Sequence, residues 1–164
     1  MTANFAGDLP SPLRAITTRP LFTMRLNVLP LQILGDTSGV VRRVGVVSGG
    51  TFTGPRLSGE ILEGGSDWQT LRNDGSTALD VRLVLKTHDG AMIGMHYLGR
   101  RHGPADVIAR LENREEVDPA SYYFRITPLF ETSSKTYGWL NHITAIGTGH
   151  RPPEGPVYSV FEVL

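Results

Sequence analysis

The chain has 164 residues, 40% of them hydrophobic and 20% charged, which is the composition of a folded globular protein of one domain. Its formal net charge of zero gives no general attraction to phosphate backbones or anionic lipid, so neither a nucleic acid nor a membrane is predicted as a partner. It contains no cysteine, which excludes thiolate catalysis, disulfides and cysteine-bound metal centres.

Residues 1–20 are predicted to form an N-terminal extension of the folded domain. Prolines and the charged residues Asp8, Arg14 and Arg19 interrupt this segment, so it lacks the apolar run of a signal peptide. Nowhere does the sequence approach the roughly 18 consecutive apolar residues that a spanning helix needs. The sequence therefore predicts a cytoplasmic protein without transmembrane helices.

Residues 21–164 are predicted to form a single β-rich domain. Nineteen glycines and eleven prolines separate short apolar runs, a pattern typical of strands joined by turns. The predicted strands are Leu21–Leu29, Gly39–Ser48, Thr51–Leu62, Asp67–Asn73, Leu79–Thr87, Ala91–Leu98, Tyr122–Leu129, Tyr137–Ile146 and Pro156–Val163.

Turn signals and one helical stretch complete the predicted fold. Asp74-Gly75 and Asp89-Gly90 predict tight turns between antiparallel strands, because Asp-Gly readily adopts positive φ. Pro104–Glu116 is predicted to be a helix, either a lid over one end of a barrel or a simple cover for an apolar rim. Because closure removes exposed sheet edges, we expect a closed antiparallel β-barrel of eight to ten strands, an open sandwich being the alternative.

No metal site and no cofactor are predicted. The glycine-rich stretch from Gly49 to Gln69 lacks the lysine or helix start of a phosphate loop, and its glycines are expected at bulges, corners and close backbone approaches. The five histidines form no tight ligand pair. His96 and His102 are the best candidates for a functional pair, although exposed loop positions explain them more simply.

Two composite motifs occur in the same order as in a known protein family. The first comprises Gly49-Gly50, Gly54-Pro55, Gly64-Gly65-Ser66-Asp67-Trp68-Gln69, Arg72, Asp74-Gly75 and Asp80. The second comprises Tyr122-Tyr123-Phe124-Arg125, Pro128, Phe130-Glu131-Thr132, Tyr137 and Trp139-Leu140-Asn141. Over residues 21–164 the sequence resembles the bacterial and fungal domain-of-unknown-function family numbered 3237, also called uncharacterised protein family 0311. The resemblance implies a small closed antiparallel barrel similar in outline to lipocalins, and no settled activity.

Charged and aromatic residues within otherwise apolar strands form the candidate site. Asp67 and Glu131 are the candidate catalytic residues, because each adjoins an aromatic side chain that could exclude water from a proton-transferring carboxylate. The candidate substrate-binding residues are Trp68, Arg72, Arg125, Trp139 and Asn141. All seven are expected to converge on one cavity. Each also has a structural alternative: a turn cap for Asp67, a rim position for Glu131 and core positions for the two tryptophans.

Two functions from different classes fit these residues. One is a cofactor-independent acid–base enzyme, an isomerase, hydratase, lyase or cyclase, that acts on a small aromatic or carbonyl compound in the barrel, with an arginine as clamp. The other is a binding protein that holds a small hydrophobic acid unchanged. Both leave open which strand faces point inward, because a slip of one residue exchanges them. Strands with few charges, such as Val40–Val47, also predict a homodimer or larger homo-oligomer.

Overall fold

The fold was obtained as a computed structural model, which describes residues 7–164. Within these residues it contains ten β-strands, one α-helix and three 3-10 segments. The strands are β1 (Thr18–Val28), β2 (Gln32–Asp36), β3 (Val41–Thr53), β4 (Ser58–Ile61), β5 (Gly65–Leu71), β6 (Thr77–Thr87), β7 (Met92–His102), β8 (Tyr123–Glu131), β9 (Ala145–His150) and β10 (Val157–Val163). The helix is α1 (Ala105–Glu112), and the 3-10 segments are Ser11–Leu13, Pro119–Ser121 and Gly138–His142.

The sheet closes into a barrel because β1 pairs with β10 on one side and with β3 on the other. Between β10 and β3 the antiparallel order continues through β9, β8, β7 and β6, and β4 and β5 share the last position between β6 and β3. β2 lies outside the circle, on the edge of β3. The protein is therefore a closed eight-stranded antiparallel barrel with two extra strands and one helix, which confirms the predicted fold class.

Alternating side chains point into the barrel, and they divide its interior into two ends with different chemistry. We call one the polar end; its buried interior residues include Arg43, Asp67, Gln69 and Arg101. We call the other the apolar end; its buried residues include Phe22, Phe52, Ile61, Leu85, Ile93 and Phe130. The alternation in β6 is the one that the sequence predicts, with Leu79, Val81, Leu83 and Leu85 all buried.

Each end of the barrel has its own cover. α1 lies over the polar end and buries Val107 and Leu111, so the predicted helix does cover one end of the barrel. The apolar end is closed by the segment around Gly138–His142, where Tyr137 and Leu140 are buried in the core. The two covers are different in kind, since one is a short helix and the other is a 3-10 turn.

The structure corrects two predicted strands and adds one that was not predicted. The predicted strand Tyr137–Ile146 is wrong: its first half forms the 3-10 segment Gly138–His142. The buried residues are Tyr137, directly before this segment, and Leu140 within it, so they are three apart and not two. The predicted strand Thr51–Leu62 is two strands, because the chain leaves β3 at Gly54-Pro55 before β4 begins. The sequence also missed β2, whose residues are mostly exposed and carry no inward alternation.

The predicted turns are confirmed. Gly75 and Gly90 have φ angles of 82° and 89° between antiparallel strand pairs, which is the conformation that makes glycine favourable there. The helix begins where predicted but ends at Glu112, because Arg114 adopts a left-handed φ of 59° and its N–H bonds back to the Leu111 carbonyl. Among residues 7–164, no helix has the length and apolar character to cross a membrane.

Candidate active site

Three polar side chains form a hydrogen-bonded chain inside the polar end. Asp67 and Gln69 are two residues apart on β5, so both point into the barrel. Gln69 lies opposite Arg43 of β3, and its amide oxygen accepts a hydrogen bond from Arg43 Nε at 2.7 Å. The amide nitrogen of Gln69 donates to Asp67 Oδ2 at 2.6 Å. Gln69 thus links a carboxyl group to a guanidinium.

Burial controls the ionisation of Asp67. The residue is 8% exposed, and the loss of water around it raises the pKa of its carboxyl group to about 6. The hydrogen bond from Gln69 and the charges of nearby arginines act to lower this pKa but do not cancel the effect of burial. Asp67 therefore changes its protonation state close to neutral pH, where its acid and base forms are both accessible.

Glu112, the last residue of α1, reaches down to the arginines of the polar end. Its carboxylate accepts two hydrogen bonds from Arg43, at 2.7 and 2.9 Å, and one from Arg101 at 2.9 Å. Burial would raise the pKa of Glu112, but the hydrogen bonds and charge of Arg43, together with the charge of Arg101, hold it below its ordinary value. Glu112 is therefore an anion held between two buried guanidinium groups.

Buried polar atoms without partners mark the same region. Asp67 Oδ1, Arg101 Nε and the Tyr97 hydroxyl have no hydrogen-bond partner among residues 7–164. Burial raises the pKa of the Tyr97 phenol and of Tyr158, whose ring centroid is 5.5 Å away, so both phenols stay protonated near neutral pH. Because buried polar groups are normally paired, these atoms indicate a place that a ligand or water would complete.

A small cavity lies beside Asp67. The space in which a water molecule could be centred is about 20 Å³, enough for about one water and for no organic ligand. Its polar walls are Asp67, Gln69, Arg101 and Arg151, and its apolar walls include Phe124. The site therefore combines a titratable carboxyl group, positive charge and an aromatic surface in an interior that is almost closed.

The seven residues singled out from the sequence do not share this cavity. Of them, Asp67 alone lines it. Trp68 follows Asp67 on the strand and so points outward, 45% exposed. Glu131 and Arg125 lie on the outer face of β8, where the even-numbered residues are the buried ones. The expected meeting of the two carboxylates in one cavity is therefore not found.

The other three residues lie in turns and covers. Arg72 is exposed in the turn between β5 and β6, where its backbone N–H bonds to the Ser76 carbonyl. The Arg56 guanidinium stacks on the ring of Trp139, with its central carbon 3.5 Å from the ring centroid. Asn141 binds both backbone groups of Thr132 and so fixes the segment that closes the apolar end.

The histidines proposed as a pair lie on the outer surface. His96 Nε2 is 2.8 Å from Asp80 Oδ1 of the neighbouring strand, and the His102 ring stacks on Tyr123 at 4.9 Å. Within residues 7–164, no three His, Asp or Glu side chains lie close enough together to hold a metal ion.

Sequence reasoning missed four residues of the site. Arg43, Gln69, Arg101 and Glu112 were not among the candidates, although one of them carried a usable signal. Arg101 continues the inward series Ile93, Met95 and Tyr97 of β7 at every second position. That spacing could have placed a charged residue inside the barrel.

The fold and the site define a class of protein: a small closed β-barrel with a buried, titratable carboxyl group and two buried arginines at one end. The family model described as protein of unknown function, DUF3237, matches residues 16–163, so the chain belongs to this family and the resemblance seen in its motifs is confirmed.

Relatives agree with this assignment. A UPF0311 protein of Rhodopseudomonas palustris is 32% identical over 149 residues, which are 91% of this chain and 97% of that protein. Its crystal structure superposes with a TM-score of 0.88 at 31% identity, covering 92% of this chain and 99% of that chain. A β-barrel-like protein of Acinetobacter baumannii has a TM-score of 0.80 at 39% identity, covering 92% of this chain and 97% of that chain. The hydroalkoxylation enzyme phnH of Penicillium herquei is 28% identical over 128 residues, 78% of this chain and 70% of that protein.

Proposed function

We propose that this protein is a cofactor-independent acid–base enzyme that transfers a proton to and from a small aromatic or carbonyl compound at the polar end of the barrel. The observation that carries the proposal is Asp67, a buried carboxyl group whose pKa is raised to about 6 by burial and whose Oδ1 has no protein partner within residues 7–164. A general acid or base works best when its pKa lies near the working pH.

The hydrogen bonding of Asp67 favours one position for its proton. Oδ2 already accepts the amide N–H of Gln69, so the proton of the neutral acid belongs on Oδ1. Because Oδ1 has no acceptor in the described part of the chain, its proton is free for a substrate. Gln69 in turn is fixed by Arg43, which keeps the amide from rotating.

The relative from Penicillium herquei supports a specific reaction class. Hydroalkoxylation adds the O–H bond of an alcohol or phenol across a carbon–carbon double bond and so forms an ether. Asp67 would give its proton to one alkene carbon, the substrate's hydroxyl oxygen would bond to the other carbon, and the hydroxyl proton would pass to the Asp67 carboxylate. The carboxyl group is regenerated and no oxidant, reductant or cofactor is consumed.

The walls around Asp67 have the chemistry that such a substrate needs, and the cavity must widen before an organic molecule can enter it. Phe124 and Leu79 offer apolar surface, and the Tyr158 and Phe124 rings meet edge to face at 5.4 Å. A mainly apolar pocket with a few fixed polar groups is the usual form of a small-molecule site.

The test is turnover by wild type and Asp67→Asn. Phenols that carry an ortho alkenyl group, each with and without a ring carboxylate, are incubated in D2O and the cyclic products are analysed by mass spectrometry. We expect the wild type to form product with one deuterium on carbon and Asp67→Asn to be slower by about a hundredfold or more. Asp80→Asn is the matched control, because it makes the same change on the outer surface and should keep full activity.

Two results would contradict the proposal. Full turnover by Asp67→Asn would remove Asp67 as the proton donor, and loss of activity in Glu131→Gln alone would move the chemistry to the outer surface. If the wild type turned over none of these compounds while still binding them, the protein would be a binding protein for small hydrophobic acids.

A further inference from the structure

We infer that Arg43 and Arg101 form a binding site for the carboxylate of a small organic acid, and that Glu112 occupies this site while no acid is bound. The inference rests on the proposed function, because it names the class of compound on which Asp67 acts. Glu112 is itself a carboxylate, carried by the covering helix α1, and it is bound by two arginines of the barrel, Arg43 and Arg101. We call this pair of arginines the cradle.

The cradle has the form that recognises a carboxylate. Arg43 binds the two Glu112 oxygens in parallel, and Arg101 adds a third hydrogen bond, to the Oε1 that Arg43 Nη2 also binds. The two arginines are only 6% and 1% exposed, and Gln69 fixes Arg43 through its Nε. The donors are therefore held in place by β3, β5 and β7, whatever group they bind.

The charges of the site favour an anionic ligand. Three arginines, Arg43, Arg101 and Arg151, face the charged Glu112 and Asp67, which is neutral at pH values below about 6. Arg101 Nε also has no partner in the part of the chain that the structure describes. Positive charge thus exceeds negative charge inside a nearly closed site, where a neutral or cationic compound would gain less.

The space in the barrel requires Glu112 to leave before a ligand enters. The cavity beside Asp67 has room for about one water. Outside it lies a groove of about 230 Å³, which shares Val28, Leu31, Arg151 and Pro156 with the cavity and is also lined by Glu112. Withdrawal of the Glu112 side chain would therefore join the two spaces and free the two arginines in one movement.

α1 is attached weakly, so the movement of Glu112 out of the site has a low free-energy cost. The helix has eight residues, it buries only Val107 and Leu111, and no side chain caps its N-terminus. Short elements with few buried apolar contacts open at low free-energy cost. A ligand that replaces the three hydrogen bonds of Glu112 would offset that cost, since it offers the same chemical group to the same donors.

The test measures the binding of benzoate, with benzamide as its neutral counterpart, by calorimetry at pH 7. Glu112→Ala removes the internal competitor, so benzoate should bind about tenfold or more tightly than to the wild type, and benzamide should gain nothing. Glu115→Ala is the matched control: Glu115 bonds to Arg110 away from the barrel, and its loss should leave benzoate affinity unchanged. Adding Arg43→Met to Glu112→Ala should abolish the gain.

Equal affinities of the wild type and Glu112→Ala for benzoate would overturn the inference, as would an equal gain for benzamide. If Glu112→Ala is too unstable to purify, Glu112→Gln keeps the shape of the side chain without its charge. The ratio of its benzoate affinity to that of the wild type then decides. Binding is measured without turnover, so the two proposals can fail separately. If Glu112→Ala binds benzoate more tightly but turnover does not depend on Asp67, only the proposed acid–base function is contradicted. If turnover depends on Asp67 but Glu112→Ala gains no affinity for benzoate, only the proposed carboxylate site is contradicted.

Discussion

The two ends of the barrel share the same strands but differ in how many of their buried polar groups have hydrogen-bond partners. At the apolar end, Phe22 meets Phe52 and Phe130 edge to face, with ring centroids 5.5 and 6.0 Å apart. Buried polar groups at this end are paired: the Tyr137 hydroxyl donates to Asp89 at 3.1 Å, and the buried Thr87 hydroxyl also donates to Asp89. At the polar end, Asp67 Oδ1 and other buried atoms lack a partner within residues 7–164.

This difference assigns stability and the proposed function to opposite ends of one small domain. Tight aromatic packing stabilises the fold by burying area and by favourable ring geometry. Each buried polar atom without a partner costs roughly 1–3 kcal/mol. A barrel can hold such atoms at one end because the other end is packed, and unpaired groups of this kind are useful where a ligand completes their hydrogen bonds.

The largest expected effect is at the apolar end. Leu85 is fully buried between Ile61 and Ile93, so Leu85→Ala should lower the free energy of unfolding by about 2–5 kcal/mol. The same substitution at Leu129, which is 61% exposed on the outer face of β8, should change it by less than about 0.5 kcal/mol. Urea unfolding of both variants measures this contrast. Similar losses at both positions would show that stability is not concentrated inside the apolar end.

The second effect is a pH dependence that belongs to the polar end. Because the pKa of Asp67 is about 6 in the fold and about 3.9 in an unfolded chain, the folded protein holds this proton more tightly between pH 4 and 6. Its stability relative to Asp67→Asn should therefore fall as pH rises, by about 2 kcal/mol between pH 4 and 7, and then stay level.

Urea unfolding of both proteins at each pH gives this difference, in which the other titrating groups largely cancel. A difference that is flat, or that grows in favour of the wild type with rising pH, would mean that Asp67 is ionised in the fold at low pH. It would then be a structural partner of the arginines and a poor proton donor.

The sequence was most informative where a pattern is local. Alternation along β6 and the Asp-Gly turns depend on neighbouring residues only, and both are confirmed. The order of the two motifs identified the family. The segment around Tyr137 was misread because its apolar spacing of three is short, and a run of this length does not separate a strand from a 3-10 turn.

The candidate site shows why the rest could not be predicted. Asp67 was chosen because Trp68 adjoins it, yet consecutive strand residues point to opposite faces, so the water around Asp67 is excluded by other side chains such as Phe124. Arg43 lies beyond a bulge near Ser48, where the register of β3 against β1 shifts. Past this bulge the other set of alternate residues points into the barrel. Glu112 joins the site only through the docking of α1, which no spacing in the chain specifies.

The smallest expected effect comes from removing one hydroxyl at each end. Tyr137→Phe should cost about 1 kcal/mol, because it removes the donor to Asp89 and leaves the packing of the ring intact. Tyr97→Phe should be neutral or stabilising, since the Tyr97 hydroxyl is fully buried and has no partner in residues 7–164. Thermal unfolding of both variants under the same conditions gives the two values.

A loss of stability in Tyr97→Phe as large as that in Tyr137→Phe would mean that the Tyr97 hydroxyl is hydrogen-bonded in solution, to water or to Tyr158. The buried polar groups of the polar end would then have more hydrogen-bond partners than the geometry indicates. A gain at Tyr97 together with a loss at Tyr137 would locate the cost of the unpaired groups at the polar end, next to the carboxyl group that we assign to catalysis.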